Sequence, residues 1–412
     1  MYTLMMTPRA SVFLYPWDVV GDPAAARRVA ELGVRQATLA AAYHSTRALT
    51  PRHPRHRVVT ARHSAVLYPP DPGRWTGRAL HPYPQDWTAA ADPFGEAAGA
   101  LAGAGVEVHS WVVLAHNSRL GAEHPETSVV NAYGDRYPWA PCIGRPDVRD
   151  YLVSLAAEAA TRPGTRGCEL ESCGWYGLAH LHAHDKTAGV ALDAAGQLLM
   201  SLCFCDRCRD GYAAYGAEPD GLRAAVTAAL RPYWDGTAAA PPATAEAVEA
   251  AGTWARITGL LGEERAAAVL GWRRAAATRL QREAVAAVRA EAPDSAFRVL
   301  LHAAPEPYAC GANAGVDPAE VLTFADGLVL PCTGGPAART AALEPCVPHR
   351  RPHTTLAANL TVVSGMGGSP ATLAADAAHA AKLGADELRL YHGGLASGED
   401  LARVAEALRA VP

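Results

Sequence analysis

Short apolar segments alternate along the whole chain with segments whose apolar residues recur at helical spacing. The strand-like segments cover residues 11–18, 34–44, 106–116, 167–171, 295–302, 327–332, 354–364 and 387–392. The helix-like segments that follow most of them cover residues 23–32, 93–104, 147–161, 263–292, 317–324, 370–383 and 398–410. Such alternation is typical of parallel strands joined by crossover helices. Eight rounds without a second hydrophobic unit predict an α/β fold, a single (β/α)8 TIM barrel over residues 1–412.

The loops that follow the predicted strands are long. The longest is an insertion after the fourth strand, at residues 178–262, which is Ala-rich, mostly helical in pattern and contains a cysteine-rich knuckle. A doubly wound open sheet is the competing architecture. We favour the barrel because no Gly-x-Gly-x-x-Gly turn follows an early strand, whereas the glycines of residues 365–368 follow the seventh strand, where barrels often bind anions.

Composition narrows the classes of partner and compartment. The chain is 50% hydrophobic and 19% charged, as expected of a soluble globular protein. A net charge of -4 offers no basic field for nucleic acid or an anionic membrane, so neither is an expected partner. No apolar run approaches the roughly 18 residues of a membrane span, and the first residues lack a secretory pattern. The nine cysteines fit metal binding or reduced thiols better than disulfides, and we expect a cytoplasmic protein.

Polar and aromatic side chains collect at the carboxyl ends of the predicted strands, which is where barrels of this kind carry their chemistry. Along the chain these candidates are Trp17, Asp18, Tyr43, His44, Trp111, His116, Asn117, Glu169, Glu171, His302, Tyr391 and His392. Several histidines at equivalent strand ends indicate a binding site more strongly than any one of them alone.

Glu169 and Glu171 project to the same side of the fourth strand because side chains alternate along a strand. A carboxylate against packed helices would be costly, so we expect both to face the barrel interior, with Glu171 nearer the substrate. Burial beside Trp175 and Tyr176 is expected to raise the pKa of Glu171 toward the value that a general acid needs. The alternative is a structural ion pair between Glu171 and an arginine.

Asp18 is the candidate for the second catalytic group, a base that acts on water, with Glu169 in support. It could equally cap the helix that follows it. Sequence gives no distance between the carboxyl groups, so the stereochemical outcome stays open.

The aromatic residues favour a carbohydrate or another small, hydroxyl-rich glycoside as the partner. Phe numbers 5, whereas Trp numbers 9 and Tyr 14. Rings with a polar edge can stack on the C–H face of a sugar and hydrogen bond elsewhere. The expected stacking residues are Trp17, Tyr43, Trp111, Trp175 and Tyr391, and those expected to orient hydroxyls are His44, His116, Asn117, His302 and His392.

The segment His180-Leu-His182-Ala-His184 after the fourth strand leaves three interpretations open. Imidazoles are common ligands of catalytic zinc, so the loop could bind a catalytic metal. His182 could instead hydrogen bond the substrate, or the loop could lie on the surface. Lys186 is one of only two lysines, and it is a candidate to hold a substrate oxygen.

Cys203, Cys205 and Cys208 have the spacing Cys-x-Cys-x-x-Cys, which can place three thiolates around one tetrahedral ion. This predicts structural zinc with a fourth ligand from Cys142, Cys168 or Cys173. Such a site would attach the insertion to the rim of the barrel. Three reduced, inert cysteines are the alternative, and no organic cofactor is expected.

A family likeness rests on these cysteines and their surroundings. Residues 136–151, with Pro141-Cys142, Pro146 and Arg149, resemble the Cys-Pro-x-x-Pro-x-x-Arg stretch of family 42 glycoside hydrolases, the bacterial β-galactosidases. The 203–208 run is similar to their Cys-x-Cys-x-x-Cys motif, and Tyr15-Pro16-Trp17 adds a faint similarity. The likeness covers roughly residues 10–210 and extends to uncharacterised glycosidase-like barrels. It implies structural zinc with Cys142 as the fourth ligand.

The chain departs from that family at both catalytic positions. The family has Asn-Glu at the end of strand four, where this chain has Leu170-Glu171, and a nucleophilic Glu on strand seven, where residues 354–364 contain no acid. We therefore predict a glycoside hydrolase that cleaves a glycosidic bond with Glu171 as general acid and a base other than the family's. The alternatives are a metal-dependent hydrolase or lyase that uses the His180 to His184 loop, and a non-catalytic sugar-binding barrel.

Overall fold

A closed barrel of eight parallel strands forms the centre of the molecule. In the computed structural model, which describes residues 9–179, 185–238 and 249–410, we number these strands β1 (Arg9–Leu14), β2 (Gln36–Tyr43), β3 (Glu107–Val113), β4 (Thr165–Glu171), β5 (Arg298–His302), β6 (Gly327–Pro331), β7 (Thr355–Thr361) and β8 (Glu387–Tyr391). Each strand pairs in parallel with its neighbours in sequence, and β1 also pairs with β8, which closes the barrel. The predicted fold class is confirmed.

Helices separate the strands and cover the outside of the barrel. They are Ala25–Glu31, Pro93–Gly103, Pro146–Ala160, Glu263–Glu291, Pro318–Val321, Pro336–Leu343, Leu373–Lys382 and Gly398–Ala410. The helix Pro93–Gly103 begins where its sequence suggests, because Asp92 accepts a hydrogen bond from the Gly95 amide and Pro93 occupies the first turn. The helix Pro336–Leu343, between β6 and β7, had no counterpart in the sequence prediction.

The loops at the carboxyl ends of the strands contain the remaining elements. After β2 come an antiparallel hairpin (Thr46–Leu49 and Val58–Ala61), the strand Ala65–Val66 and the helix Pro72–Trp75, and after β3 come the helix Ser118–Glu123 and the hairpin Ser128–Val130 and Arg136–Pro141. The predicted insertion contains the helices Ala194–Ser201, Asp206–Ala214, Pro219–Trp234 and Glu249–Leu261. Short 3-10 turns lie at Pro16–Asp18, Pro125–Thr127, Thr187–Gly189, Glu344–His349, Ser364–Met366 and Pro370–Thr372.

The barrel interior is filled in layers. Apolar side chains of the strands pack outward against the helices, and a separate inner cluster contains Phe13, Tyr43 and Trp111. Below that cluster, Arg389 donates hydrogen bonds to Glu169 at 2.5 Å and to Glu387 at 2.9 Å. These ion pairs compensate charges that are buried inside the barrel, and we call Arg389, Glu169 and Glu387 the charged floor.

None of the helices in the described residues is both long enough and apolar enough to cross a bilayer.

Candidate active site

A cavity of about 740 Å³ opens at the carboxyl ends of the barrel strands. Every strand, or the residue directly after it, contributes one or more lining side chains: Tyr15, Tyr43, Trp111, Glu171, His302, Pro331, Asn359 and Tyr391. This is the end of the barrel at which enzymes of this architecture place their catalytic groups. We call it the mouth cavity.

Glu171 is the acidic side chain of the mouth cavity in the described part of the chain. Its Oε2 atom accepts a hydrogen bond of 2.7 Å from the indole nitrogen of Trp111. The side chain is 14% exposed, and the same oxygen lies 3.9 Å from Nδ1 of His302. One carboxylate oxygen is therefore fixed by a neighbour while the group remains accessible from the cavity.

Glu169 lies two residues earlier on the same side of β4, deeper in the barrel, and is fully buried. Burial acts to raise the pKa of Glu169, but the charge of Arg389 and the contact with His302 outweigh it and lower the pKa to about 2. The arginine ion pair that was the alternative for Glu171 is found at Glu169 instead. Its Oε2 lies 3.5 Å from Nε2 of His302, so Glu169 supports a cavity residue and does not line the cavity.

Three tyrosines line the mouth cavity together with Glu171. Burial, together with nearby negative charge, raises the pKa values of Tyr15, Tyr43 and Tyr391, so their hydroxyls stay protonated. Tyr43 meets the ring of Trp111 edge-on with centroids 4.6 Å apart. The mouth cavity thus combines aromatic faces with neutral hydroxyl groups, which are suited to a polyhydroxylated ligand.

A second cavity of about 1100 Å³ adjoins the mouth cavity and shares His44, Arg47 and Tyr176 with it. We call this second cavity the outer groove. His116 lines this outer groove and stacks on Tyr176 at 4.2 Å and on His44 at 4.6 Å. Burial lowers the pKa of His44, which favours its neutral form. His44, directly after β2, thus lines both cavities, and His116, from the loop after β3, lines the outer groove beside it. Their predicted role in orienting hydroxyls stays a prediction.

Asp18 does not line either cavity. Its Oδ2 atom accepts a hydrogen bond of 2.8 Å from the amide of Tyr15, within the turn after β1, and it borders a separate cavity of about 30 Å³. Burial raises the pKa of Asp18 to about 7, against the Tyr15 hydrogen bond and the charge of Arg52. This placement does not fit the predicted base that acts on substrate. The capping alternative is also wrong for the helix Ala25–Glu31, whose N-cap is Ala24, because Asp18 instead closes its own 3-10 turn through Tyr15.

Trp17 and His392 are likewise packed beneath the cavity. Trp17 is 1% exposed and stacks on Tyr15 with centroids 4.5 Å apart. His392 is fully buried, its Nδ1 accepts from the Gly394 amide, and burial lowers its pKa to about 3. Neither lines the mouth cavity, so the expected contacts with substrate are not formed by these two side chains.

Three further candidates have other partners. Asn117 caps the helix Ser118–Glu123 by accepting from the amide of Leu120 at 3.0 Å. The Trp175 indole donates to the backbone oxygen of Arg273 at 2.9 Å and does not line the mouth cavity. Lys186 is exposed and lines neither cavity. The loop His180 to His184, with the predicted ligand His182, lies outside the described residues.

Sequence reasoning left Tyr15 and Asn359 out of the proposed site. The Asn359 side chain lines the mouth cavity at the end of β7, and its Oδ1 atom is buried without a hydrogen bond among the described residues. Strand alternation carries the signal for Tyr15, which follows the inward-facing Phe13 at a spacing of two. Asn359 is the middle residue of the seventh apolar segment, and its polar side chain within an apolar run was the available signal.

A four-cysteine cluster combines three cysteines of the insertion with Cys142 from the loop after β3. The Sγ atom of Cys142 is 3.5 Å from that of Cys208 and 3.7 Å from those of Cys203 and Cys205. Sulfurs placed tetrahedrally about 2.3 Å from a zinc ion are about 3.8 Å apart, so the set has the dimensions of a metal site. These are the four cysteines that the family likeness implied, and they can hold a metal ion.

Comparison with known proteins gives structural matches only. No family model matches, and no curated protein matches. The glycoside hydrolase domain of PgaB (BpsB) from Bordetella bronchiseptica is 15% identical, with a TM-score of 0.55 and 98% of each chain covered.

An α-L-fucosidase isoenzyme from Paenibacillus thiaminolyticus is 12% identical with a TM-score of 0.53, and a family 42 β-galactosidase from G. stearothermophilus is 12% identical with a TM-score of 0.52. Each match covers 98% of this chain, which spans 49% of the fucosidase and 56% of the galactosidase. At these identities the likeness establishes the fold: the chain has the (β/α)8 barrel seen in these glycoside hydrolases.

Proposed function

We propose that the protein is a glycoside hydrolase in which Glu171 donates a proton to the departing oxygen of a glycosidic bond. The observation that carries the proposal is the position of this carboxylate on the wall of the mouth cavity, with Oε2 held by Trp111. General acids need this combination of fixed orientation and access to the substrate. The glycoside hydrolases of similar fold support the reaction class.

The substrate is a small carbohydrate. The volume of about 740 Å³ falls in the usual range of small-ligand sites, about 300–1000 Å³. Tyr391, which is partly exposed, offers an aromatic face for a sugar ring, and the buried Trp111 packs against it. The protonated tyrosine hydroxyls offer donors to sugar oxygens. His44, His116 and His302 supply further polar groups around the entrance.

The test is the variant Glu171→Gln, assayed on a panel of aryl glycosides. Loss of a general acid should lower kcat/KM by about 100- to 10,000-fold for a poor leaving group. It should lower the rate much less for a leaving group such as dinitrophenolate, which departs without a proton. A loss independent of the leaving group would contradict the role of Glu171 as the acid.

Glu306→Gln is the matched control. Glu306 follows β5, is half-buried and lines neither cavity, although burial raises its pKa. We expect its kcat/KM to stay close to that of the wild type. A loss as large as that of Glu171→Gln would transfer the catalytic assignment to Glu306.

A non-catalytic sugar-binding barrel is the second candidate. It is favoured by one observation, namely that Glu171 is the one carboxylate among the described residues that line the two cavities. Saturable binding of a sugar to the wild type, without turnover of any aryl glycoside, would support this candidate and refute the hydrolase.

We also propose that the cysteine cluster holds structural zinc and joins the loop after β3 to the insertion. Four thiolates at tetrahedral separations are the ligands that zinc prefers in closed structural sites. None of the nine cysteines forms a disulfide, which suits a reducing compartment, and we retain the cytoplasm as the proposed location.

A further inference from the structure

The mouth cavity offers a proton donor but no second carboxylate among the described residues. Neither cavity is lined by an aspartate or glutamate other than Glu171. Outside the described part, residues 180–184, which follow β4, contain no acid in their sequence, and residues 239–248 of the insertion contain one, Glu246. Glu169 is committed to Arg389 in the charged floor, and Asp18 borders a different cavity. Glycosidases with two carboxylates need both on opposite sides of the scissile bond.

Strand β7 places an amide, and no carboxylate, on the wall of the mouth cavity. Asn359 lines the mouth cavity near the end of β7, and its buried Oδ1 atom has no hydrogen-bond partner among the described residues. An amide cannot attack the anomeric carbon as a carboxylate does. A rotation of the side-chain amide about χ2 turns its oxygen toward the cavity, where it can accept a hydrogen bond from an N–H group of a ligand. A buried acceptor without a partner is costly, which favours this rotation when such a donor arrives.

We infer that the substrate brings its own nucleophile: the enzyme acts on β-linked 2-acetamido sugars, and Asn359 accepts the acetamido N–H. This inference rests on the proposed hydrolase function. Substrate assistance is an established exception to the two-carboxylate scheme. The acetamido group must lie trans to the leaving group to attack, which requires the β-linkage in gluco- and galacto-configured sugars.

The reaction then needs one carboxyl group from the protein. Glu171 gives its proton to the glycosidic oxygen while the acetamido oxygen bonds to C1, the C1–O bond breaks, and the alcohol leaves with an oxazolinium ion behind. The Glu171 carboxylate next takes a proton from water. The water oxygen bonds to C1, the bond from C1 to the acetamido oxygen breaks, and the sugar is released with its configuration retained.

The neighbours of Glu171 fit both steps. The Trp111 indole holds Oε2 at 2.7 Å and so fixes the carboxyl group for donation and for return of the proton. The same ring, with Tyr43 and Tyr391, gives the acetamido methyl group an apolar wall inside the cavity. The protonated hydroxyl of Tyr391 can donate to the acetamido oxygen.

The test compares nitrophenyl β-glycosides of N-acetylglucosamine and N-acetylgalactosamine with those of glucose and galactose. We expect turnover of an acetamido substrate only. Replacing its acetyl hydrogens stepwise by fluorine weakens the attacking oxygen and should lower kcat/KM by about tenfold or more across the series. Asn359→Leu should lower kcat/KM for the acetamido substrate at an unchanged melting temperature, and NMR of the first product should show the β-anomer.

Hydrolysis of the glucose or galactose series that depends on Glu171, or rates insensitive to fluorine, would overturn the inference and leave the proposed hydrolase intact. Absence of turnover in both series, with equal behaviour of wild type and Glu171→Gln, would reject the hydrolase itself.

Discussion

Replacement of Arg389 by methionine removes the guanidinium that Glu169 and Glu387 share inside the barrel. Breaking one side of a buried ion pair costs about 3–5 kcal/mol, because the remaining charge has neither water nor a partner. The pKa of Glu169 gives a second estimate of this free energy. Arg389 and His302 lower that pKa from 4.5 to about 2 against the effect of burial, and a shift of this size corresponds to about 3 kcal/mol of stability. We expect the free energy of unfolding to fall by about 3 kcal/mol at neutral pH.

The pH dependence of this loss follows from the direction of the shift. A carboxyl group with a depressed pKa in the folded state stabilises the fold above its unfolded pKa, and this contribution is lost as the pH falls from about 4.5 toward 2. In the variant, burial without Arg389 makes Glu169 bind a proton in the folded state. The difference in stability between wild type and Arg389→Met should therefore shrink as the solution is acidified.

Urea unfolding followed by tryptophan fluorescence at pH 7 and pH 4 measures this difference. Arg350→Met is the matched control, since its pair with Asp386 is about one-third exposed and should contribute only about 0–1 kcal/mol. If the loss of unfolding free energy in Arg389→Met is no larger than in the control, or is equal at the two pH values, the reasoning is refuted.

Three other predictions concern the cysteine cluster, Asp18, and Gly394, which lies against Asp18. Cys142→Ser should remove bound zinc and lower the melting temperature, whereas the control Cys346→Ser, outside the cluster, should keep one zinc per chain. Mass spectrometry measures the bound metal, and zinc retained by Cys142→Ser would contradict the site. Asp18→Asn should gain stability relative to wild type as the pH rises from 5 to 8, because a folded-state pKa of about 7 means that ionisation of Asp18 destabilises the fold in that range. Its glycosidase activity should persist, and loss of activity in a folded protein would restore Asp18 as the catalytic base. Gly394→Ala should destabilise the fold by about 1–3 kcal/mol in thermal unfolding, because a Cβ atom there would lie 1.8 Å from the Asp18 carboxylate, whereas Gly398→Ala, with open space around it, should change little.

The sequence predicted the architecture because each strand of a parallel barrel is a short apolar run, and the segment that follows has apolar residues at helical spacing. Both signals are local in sequence. Alternation also predicted that Glu169 and Glu171 face inward together. It could not reveal that Arg389, more than two hundred residues away in sequence, neutralises Glu169 while Glu171 remains at the cavity. Partners at such separations depend on barrel closure, which no local pattern encodes.

The first strand shows how a small error in a boundary displaces a predicted site. The apolar pattern continues to residue 18, but β1 ends at Leu14, and Pro16 lies in a 3-10 turn because proline has no amide to donate to a sheet. Trp17 and Asp18 consequently turn away from the mouth cavity, and Tyr15 takes the lining position. Trp175 illustrates a related limit, since nearness to Glu171 in sequence did not bring it to the same cavity.

The charged floor blocks the barrel interior below the mouth cavity, so the cavity opens at one end of the barrel. Arg389, Glu169 and Glu387 fill the interior below the ligand site, so a polymer cannot thread through the barrel from one end to the other. A ligand of the mouth cavity therefore enters and leaves on the side where the outer groove adjoins it. One bound molecule must therefore leave the mouth cavity before another can take its place, and a molecule that stays bound competes directly with the next one.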